Sequence, residues 1–268
     1  MKIIGEKING TRKRVARAIT ERDADFIKIL AQKQAEAGAT WLDVNAGTHP
    51  NREVDDLIWL IETIQAVVDT PLCLDSANQA ALAVAIKAVN KTPMVNSISG
   101  EPERLDGILP LVAGHGCQVI ALAMDAKKIP ETAEGRVAVI TAVMQKTRSA
   151  GLPDKYIYID PLAMTISTNI QSGMIACDTI RAIHEVYPEV HFTIGLSNIS
   201  FGLPARSYIN RAFITLAMAA GLDSAILDPL DRELWAAILA TELVLGQDRH
   251  CLNYTRAYRA GVFDSTNQ

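Results

Sequence analysis

Short apolar runs in this sequence repeatedly end in carboxylate or carboxamide side chains. Tyr156-Ile-Tyr-Ile-Asp160 and Thr193-Ile-Gly195-Leu-Ser197-Asn198 are two examples. Such a run is typical of a buried parallel strand, so its last polar residues would emerge at one edge of the sheet. The polar residues at such endings are Glu6, Asn9, Asp43, Asn45, Asp75, Asn96, Asp125, Asp160, Ser197, Asn198 and Asp228. Their convergence on one face would create a pocket of carboxylates and amides.

Two chemistries suit a pocket of this composition. Carboxylates from several strands could hold Mg²⁺, because hard cations prefer oxygen ligands. Alternatively, carboxylates and amides could bind a neutral heterocycle such as a pterin. One ionised Asp can accept hydrogen bonds from both the ring N–H and the exocyclic amine of a pterin. The residue types alone leave both chemistries open.

A more ordinary explanation exists for each of these polar residues taken singly. Asp, Asn and Ser favour helix N-caps and turns, where they bond the backbone. That explanation weakens for the whole set, because Asp and Asn recur just inside the last strand residue rather than in the loop. We therefore interpret the set as a candidate site.

Several other kinds of site are disfavoured by what the strand ends lack. Lys7 is the only lysine near a strand end, so a Schiff-base aldolase is poorly supported. No Gly-Xaa-Ser-Xaa-Gly segment is present. None of the five histidines falls at a strand end, so a zinc site with histidine ligands is not expected. The histidines are His49, His115, His184, His191 and His250.

The elements that must position these residues alternate between strand and helix patterns along the chain. Apolar runs predict strands over 2–9, 40–45, 71–75, 93–97, 118–124, 156–160, 191–197 and 224–228. Periodic segments predict a helix beginning at residue 12, and helices over 23–38, 53–68, 78–89, 102–114, 131–150, 173–187, 207–220, 231–245 and 254–260.

Eight strand–helix units in a chain of 268 residues predict an α/β fold, a single (β/α)8 TIM barrel. We expect one domain over 1–268, with 247–268 as a C-terminal extension. An open doubly wound sheet is the competing arrangement, but Gly5-Glu-Lys-Ile-Asn-Gly10 has the wrong spacing for its phosphate-binding turn. In a TIM barrel the active site lies at the C-terminal ends of the strands, where the polar residues fall.

Composition narrows the expected partners and location. The chain is 49% apolar and 21% charged with a net charge of −4, so no nucleic-acid partner is expected. No apolar run reaches membrane-spanning length, and the first residues do not resemble a signal peptide. Four scattered cysteines suggest neither a disulfide framework nor a metal site. We expect a cytoplasmic protein.

Six short motifs together make the chain resemble the methyltetrahydrofolate–corrinoid protein methyltransferases, a family of the pterin-binding barrel group. Each motif alone is weakly specific, but their order and spacing span essentially the whole chain. The motifs are Ile3-Ile-Gly-Glu6-Lys-Ile-Asn9-Gly10, Leu72-Cys-Leu-Asp75-Ser76, Met94-Val-Asn96-Ser97, Tyr158-Ile-Asp160-Pro161, Gly195-Leu-Ser197-Asn198 and Arg206-Ser-Tyr-Ile-Asn210-Arg211.

The resemblance implies how a folate would bind. Asp75, Asn96 and Asp160 would hold the pterin ring, with Asp160 at the N3 and 2-amino edge. Gly195 and Ser197 would line the pocket. The remaining candidates around it are Glu6, Asn9, Asp43, Asn45, Phe201 and Asp228.

The resemblance also assigns the methyl-transfer end of the site. Asn198 would hydrogen-bond near N5, the nitrogen that carries the methyl group, so Asn198 and Asp160 are the candidate catalytic residues. Arg206 would provide a counter-charge for the aminobenzoyl-glutamate tail. At Phe201 the sequence departs from acetogenic members of the family, which have a glutamine there, so polar contacts at that position are expected to differ.

By the same resemblance, the substrates are tetrahydrofolate or 5-methyltetrahydrofolate and a corrinoid carried by a partner protein. No Asp-Xaa-His-Xaa-Xaa-Gly motif for cobalamin binding is present. We therefore expect a separate corrinoid protein to dock at the barrel mouth, and the family also suggests a homodimer. Transfer can run in either direction, and the departure at Phe201 favours transfer to tetrahydrofolate.

Three other functions fit parts of the pattern. A dihydropteroate synthase would favour a basic residue at a late strand end, where this chain has Asp228-Pro229. A Mg²⁺-dependent lyase could use Asp43, Asp75 and Asp160, and would lose activity with a chelator. A non-catalytic folate-binding protein would bind pterin tightly without methyl transfer.

Overall fold

Eight apolar runs form parallel strands in the computed structural model, which describes residues 1–126 and 128–263. The strands are β1 Lys2–Asn9, β2 Trp41–Asn45, β3 Leu72–Asp75, β4 Met94–Ser99, β5 Gln118–Leu122, β6 Ile157–Asp160, β7 His191–Phe192 and β8 Ser224–Leu227. The sheet order is β7-β6-β5-β4-β3-β2-β1-β8. An isolated parallel bridge between Gly195 and Ile226 joins the β7 end of the sheet to β8. The predicted (β/α)8 barrel is confirmed.

Helices follow the strands and cover the outside of the sheet. They are α1 Lys13–Glu21, α2 Ala24–Glu36, α3 Pro50–Gln65, α4 Gln79–Ala88, α5 Pro102–His115, α6 Ala133–Ser149, α7 Ser172–Val186, α8 Arg206–Ala220, α9 Arg232–Val244 and α10 Leu252–Arg259. Short 3-10 helices occupy Asp154–Tyr156, Leu196–Ser200 and Arg249–Cys251. None of the helices within the described ranges is long and apolar enough to cross a membrane.

Local signals account for several helix starts. The side chains of Asp23, Asn78 and Asp231 each accept a hydrogen bond from a backbone N–H in the first turn of α2, α4 and α9. Such caps satisfy donors that the helix itself leaves unpaired. Prolines open α3 and α5, where a missing N–H costs nothing. The predicted start of the third helix at residue 53 was therefore three residues late, because Pro50 already begins it.

One strand prediction was wrong in a way that matters for function. A strand over 191–197 was expected, but β7 ends at Phe192 and Leu196–Ser200 forms a 3-10 helix. The N–H of Asn198 donates to the carbonyl of Gly195 at 3.2 Å, which turns the chain where the strand was expected to continue. After Phe192 the segment pairs with β8 only through the single bridge between Gly195 and Ile226. The apolar run over 193–197 therefore does not continue as a strand.

The barrel interior is closed at the end where the strands begin. Six buried side chains, one from each strand β1 to β6, form a cluster separate from the strand–helix core: Ile4, Trp41, Cys73, Met94, Ile120 and Tyr158. Below them, the Nζ of Lys2 donates to the hydroxyl of Tyr158 at 2.7 Å, and the ring of His191 stacks on Tyr158. Ligands of the interior must therefore enter from the C-terminal ends of the strands.

The chain after α9 forms a small capped unit. The two carboxylate oxygens of Asp248 accept from the backbone N–H groups of Asn253 and Tyr254, at 3.0 and 2.9 Å, and so cap α10. The predicted extension over 247–268 thus contains a 3-10 turn and one helix. Its last five residues, 264–268, lie outside the described residues.

Candidate active site

The polar strand ends meet at the barrel mouth as the sequence predicted for most of the set. Asn45, Asp75 and Asp160 are the last residues of their strands, and Asp43 and Asn96 lie within β2 and β4. Asp228 directly follows β8, and Glu6 and Asn9 lie in the second half of β1. In contrast, Gly195, Ser197, Asn198 and Phe201 lie in or beside the 3-10 turn, and Arg206 begins α8.

Two amide–carboxylate contacts tie three neighbouring strands together. The Nδ2 of Asn45 donates to Oδ2 of Asp75 at 2.8 Å. The Nδ2 of Asn96 faces Oδ1 of Asp43 at 3.4 Å, which is long for a hydrogen bond. Each amide keeps its carbonyl oxygen for another partner, since Asn carries both a donor and an acceptor. The cluster can therefore present both acceptors and donors to a heterocycle.

Burial dominates the acid–base behaviour of this cluster. Asp43 is 3% exposed, and burial, reinforced by the charge of Asp75, raises its pKa well above the ordinary value. Hydrogen bonds from Asn96 and Cys73 oppose this rise. Burial also raises the pKa of Asp75, against the hydrogen bond from Asn45 and the charge of Arg104. Asp43 and Asp75 repel each other when both are ionised, so one of the two carboxyls tends to stay protonated. Asp43, whose pKa is raised further, is the better candidate for that role.

Asp160 stands apart from this cluster and is held by backbone groups. Its Oδ1 accepts from the N–H of Leu162 at 2.7 Å, and the backbone of Gly195 also bonds the carboxylate. Burial raises its pKa to about 6, while these bonds and the charge of Arg136 act in the opposite direction. Asp160 is therefore mostly ionised at neutral pH. An ionised carboxylate with a free lone-pair direction can accept from two adjacent N–H donors.

The Gly195–Asn198 turn lies directly beside Asp160. A Cβ added at Gly195 would lie 2.9 Å from Nδ2 of Asn198, so the Asn198 amide packs over Gly195 and would have to shift to admit a larger residue there. Asn198 is exposed and Ser197 is partly exposed, unlike the buried apolar residues Leu196 and Ile199 on either side of them. The turn thus presents an amide to the mouth next to a carboxylate.

Arg206 braces this turn. Its Nε donates to Oγ of Ser200 at 3.0 Å, and its Nη2 donates to the carbonyl of Ser197. The hydroxyl of Ser200 in turn donates to Oδ1 of Asn210 at 2.7 Å. Its predicted contact with a folate tail stays a prediction; in this structure the guanidinium bonds the turn that carries Asn198.

The remaining candidates on the β1 and β8 side are engaged in local pairs. Arg12 pairs with Glu6 at 2.6 Å, and Lys7 pairs with Asp228 at 2.5 Å. Burial raises the pKa of Glu6, with Arg12 acting against the rise. Asn9 accepts from both the N–H and the hydroxyl of Thr11, the behaviour of a turn residue. Phe201 is 67% exposed at the rim.

Sequence reasoning missed two cations near the carboxylates, Arg104 and Arg136. Both act electrostatically on a candidate carboxylate, Arg104 on Asp75 and Arg136 on Asp160. Arg136 is 2% exposed. A signal for it was present, because Arg136, Ile140 and Val143 recur at the spacing of one helix face. A charged residue on an apolar face marks a position where a buried charge has partners.

The described residues contain no group of three or more His, Cys, Asp or Glu side chains placed to hold a metal ion. The donors and acceptors at the mouth instead suit a planar heterocycle with a mixed hydrogen-bonding edge. An ionised Asp160 provides acceptors, and the Asn45, Asn96 and Asn198 amides provide both kinds of group.

Comparison with known proteins places these features in context. Residues 5–228 match the family model described as pterin binding enzyme. The chain is 43% identical over 263 residues to the methylcorrinoid:tetrahydrofolate methyltransferase of Eubacterium limosum, covering 97% of each chain. It is 32% identical over 237 residues to the methionine synthase of Mycobacterium leprae, covering 84% of this chain and 20% of that protein.

Solved structures support the fold. The dihydropteroate synthase of Yersinia pestis superposes with a TM-score of 0.69 at 17% identity, over 91% of this chain and 93% of that one. The Xanthomonas albilineans enzyme in complex with 7,8-dihydropteroate superposes with a TM-score of 0.66 at 17% identity, over 92% and 93%. At this level of identity the likeness concerns the barrel alone.

Proposed function

Because the chain belongs to the family of pterin-binding enzymes, we propose that it moves a methyl group between the cobalt of a corrinoid protein and N5 of tetrahydrofolate. The near full-length similarity to a methylcorrinoid:tetrahydrofolate methyltransferase supports this reaction. The folate is a substrate, and the corrinoid arrives on a separate partner protein.

One observation in the site carries the proposal: Gly195 links the two residues with proposed roles. Its backbone bonds the Asp160 carboxylate, and the Asn198 amide packs against its Cα hydrogens. A pterin whose N3 and 2-amino groups donate to Asp160 would extend across the mouth, with N5 on the far side of the ring. We assign that side to Asn198, the exposed amide on the same turn.

The other side chains would orient the ring. Asp75 and Asn96 hold acceptors and donors on β3 and β4, and Asn45 keeps Asp75 in place through its 2.8 Å bond. The buried Asp43 supports Asn96 from below. Such a fixed set of partners keeps N5 aligned with a methyl donor above the mouth, which lowers the entropic cost of reaction.

The corrinoid supplies a cobalt that can carry the methyl group or accept it. In transfer to folate, the cobalt–methyl bond breaks, its electron pair stays with cobalt, N5 bonds the methyl carbon and the N5 proton leaves to solvent. In the reverse reaction N5 is the leaving group and must carry a proton. A carboxamide does not titrate usefully, so Asn198 would act by hydrogen-bonding N5 while its charge changes.

We propose transfer from the corrinoid to tetrahydrofolate as the physiological direction, which is the direction that the name of the Eubacterium limosum relative gives. Phe201, whose ring is 67% exposed, stands at the position where the sequence departs from acetogenic members of the family. The reverse reaction uses the same residues by microscopic reversibility.

The test measures both directions with the purified chain. Tetrahydrofolate is incubated with methylcobalamin, or with a methylated corrinoid protein, and 5-methyltetrahydrofolate is quantified by mass spectrometry. The reverse assay combines 5-methyltetrahydrofolate with cob(I)alamin and follows its absorbance. We expect faster turnover with the protein-bound corrinoid and in the first direction. Folate binding without transfer in either assay would instead indicate a folate-binding protein.

We further propose that this single barrel domain works in the cytoplasm as a homodimer, with the corrinoid protein docking at the barrel mouth. Light scattering after size-exclusion chromatography tests the dimer. Competition tests the docking site: a folate analogue that protrudes from the mouth should weaken binding of the corrinoid protein. Unchanged binding would place the docking surface elsewhere.

A further inference from the structure

Arg136 is the largest fully buried side chain in the described part of the chain. It lies in the first turn of α6 and is 2% exposed. Burying a guanidinium is costly unless its donors and its charge are both matched. Among the described residues it forms no ion pair within 4.0 Å, so its stabilisation comes from other groups.

Those groups are three backbone carbonyls in two loops at the barrel mouth. Nε donates to the carbonyl of Pro130 at 3.0 Å. Nη1 donates to the carbonyls of Pro161 and Leu162, at 2.6 and 2.9 Å. Arg136 therefore joins the loop before α6 to the two residues that directly follow Asp160.

Leu162 is held from both sides. Its carbonyl accepts from Arg136, and its N–H donates to Oδ1 of Asp160 at 2.7 Å. Its φ is +64°, in the left-handed region that a leucine rarely adopts. Two hydrogen bonds from opposite directions offset that backbone strain. The orientation of the Asp160 carboxylate thus depends on a backbone conformation that Arg136 maintains.

Arg136 also acts on Asp160 through charge. The positive charge lowers the pKa of Asp160, against the burial that raises it to about 6. The other groups that act on this carboxylate are the backbone amides of Leu162 and Gly195. In the described part of the chain Arg136 is thus the charged side chain that favours the ionised form of Asp160.

We propose that Arg136 is a positioning residue for the pterin: through its hydrogen bonds to the carbonyls of Pro161 and Leu162 it aims the Asp160 carboxylate at the ring's amino edge. Because it acts through Asp160, this role rests on the proposed folate binding. Arg136 itself would touch no substrate.

The test compares Arg136→Met, which removes the charge and the donors at similar volume, with Arg136→Lys, which keeps the charge. Arg148→Met, an exposed position on the same helix, is the control. Tetrahydrofolate affinity is measured from pH 5.5 to 8.5, together with thermal unfolding. We expect Arg136→Met to bind tetrahydrofolate at least about tenfold more weakly at pH 7.5. The variant loses the charged hydrogen bonds to the Pro161 and Leu162 carbonyls that hold the loop next to Asp160. Its affinity should recover partly at pH 8.5.

Arg136→Lys should keep the wild-type pH midpoint of binding while losing affinity several-fold, because an ammonium cannot reproduce the guanidinium's fork of donors. This variant decides the matter if Arg136→Met does not fold. The proposal is overturned if the folded variants keep the wild-type folate affinity and pH midpoint and differ only in a lower melting temperature. Arg136 would then contribute to stability alone. If the wild type binds no folate, or if Asp160→Asn binds it normally, the proposed pterin site itself is wrong.

Discussion

Asp160 and Asn198 both contact Gly195, yet their surroundings differ. Asp160 is 7% exposed and bonded to backbone groups, whereas Asn198 is exposed on a turn. A buried, fixed carboxylate suits recognition of the ring in every state of the reaction. An exposed amide at the site of methyl exchange suits an interaction that strengthens as charge changes. Affinity and rate should therefore separate between the two residues.

Asn198→Ala should lower the single-turnover rate of methyl transfer on the order of a hundredfold, the usual effect of removing one preorganised polar contact to a charge that changes. Folate affinity should change little, since the ring edge is held by other residues. Stopped-flow transfer and equilibrium titration measure the two quantities. Asn253→Ala, on α10, is the control. Unchanged transfer with intact folate binding would contradict the role given to Asn198.

Folate affinity should also depend on pH through Asp160. Because its pKa is about 6 without ligand, the ionised acceptor is present above that pH and is lost below it. The dissociation constant should stay flat above pH 6 and rise by up to about tenfold per pH unit below it. Asp160→Asn should bind about tenfold to a hundredfold more weakly at pH 7.5 and lack this slope. If the wild type and Asp160→Asn showed the same pH dependence of the dissociation constant, a titrating group of the folate would be its cause.

At the scale of elements, the segment after β7 is the feature on which the site depends most. Had Thr193–Ser197 continued as a strand, successive side chains would have pointed to opposite faces of the sheet. The 3-10 helix Leu196–Ser200 instead buries Leu196 and Ile199 and exposes Asn198. Arg206, from the first turn of α8, bonds this turn at Ser197 and Ser200.

Arg206→Ala should therefore lower the rate of methyl transfer through Asn198. It should also lower folate affinity, because Gly195 beside the same turn bonds the Asp160 carboxylate. The turn loses two hydrogen bonds, each worth about 1 kcal/mol or more, so the Asn198 amide samples other orientations. Arg211→Ala, five residues further along α8, removes an arginine that pairs with Glu233 and should change neither quantity. If Arg206 served only as a counter-charge for the folate tail, affinity would fall while the rate at saturating folate stayed unchanged.

At the scale of the whole molecule, the barrel is closed at one end and polar at the other. The Lys2, Tyr158 and His191 contacts seal the end where the strands begin. The opposite end gathers buried carboxylates whose pKa values are raised by burial. Groups of this kind oppose folding at neutral pH, so the binding site is formed at a cost in stability.

Asp160→Asn should accordingly stabilise the ligand-free protein at pH 7.5. The folded pKa of Asp160 lies at about 6 instead of 3.8, so its contribution is fully present below pH 3.8 and is lost as the pH rises through 6. The shift corresponds to at most about 3 kcal/mol, and a gain of about 1–3 kcal/mol is expected at pH 7.5 and none near pH 4. Chemical unfolding at both values measures it.

Asp248→Asn is a matched control of opposite sign. Backbone N–H groups at the start of α10 lower the pKa of Asp248, so its carboxylate favours folding at neutral pH. This variant should be less stable than the wild type at pH 7.5. A loss of stability in Asp160→Asn as well would show that the hydrogen bonds of the carboxylate outweigh its burial.

The eight strand–helix units and the polar residues at the strand ends were predictable from the sequence. Both follow from local pattern: buried parallel strands are continuous apolar runs, and helices show apolar residues at every third or fourth position. Because parallel strands place their C-terminal ends on one face, Asp43, Asp75 and Asp160 were expected on the same side of the barrel. Family motifs then carried the assignment of a pterin-binding enzyme, which the family match bears out.

Which of these residues contact one another became evident only in the folded molecule. The pairing of Asn45 with Asp75 and of Asp43 with Asn96 depends on the register between strands, which no local pattern specifies. The turn at Asn198 replaced a predicted strand because β8 pairs with this segment at one position only. Arg136 entered the site because helix packing placed its side chain beneath the loop that follows β6. Contacts between distant segments follow from barrel closure, and that is why the support of Asp160 could be recognised only in the folded molecule.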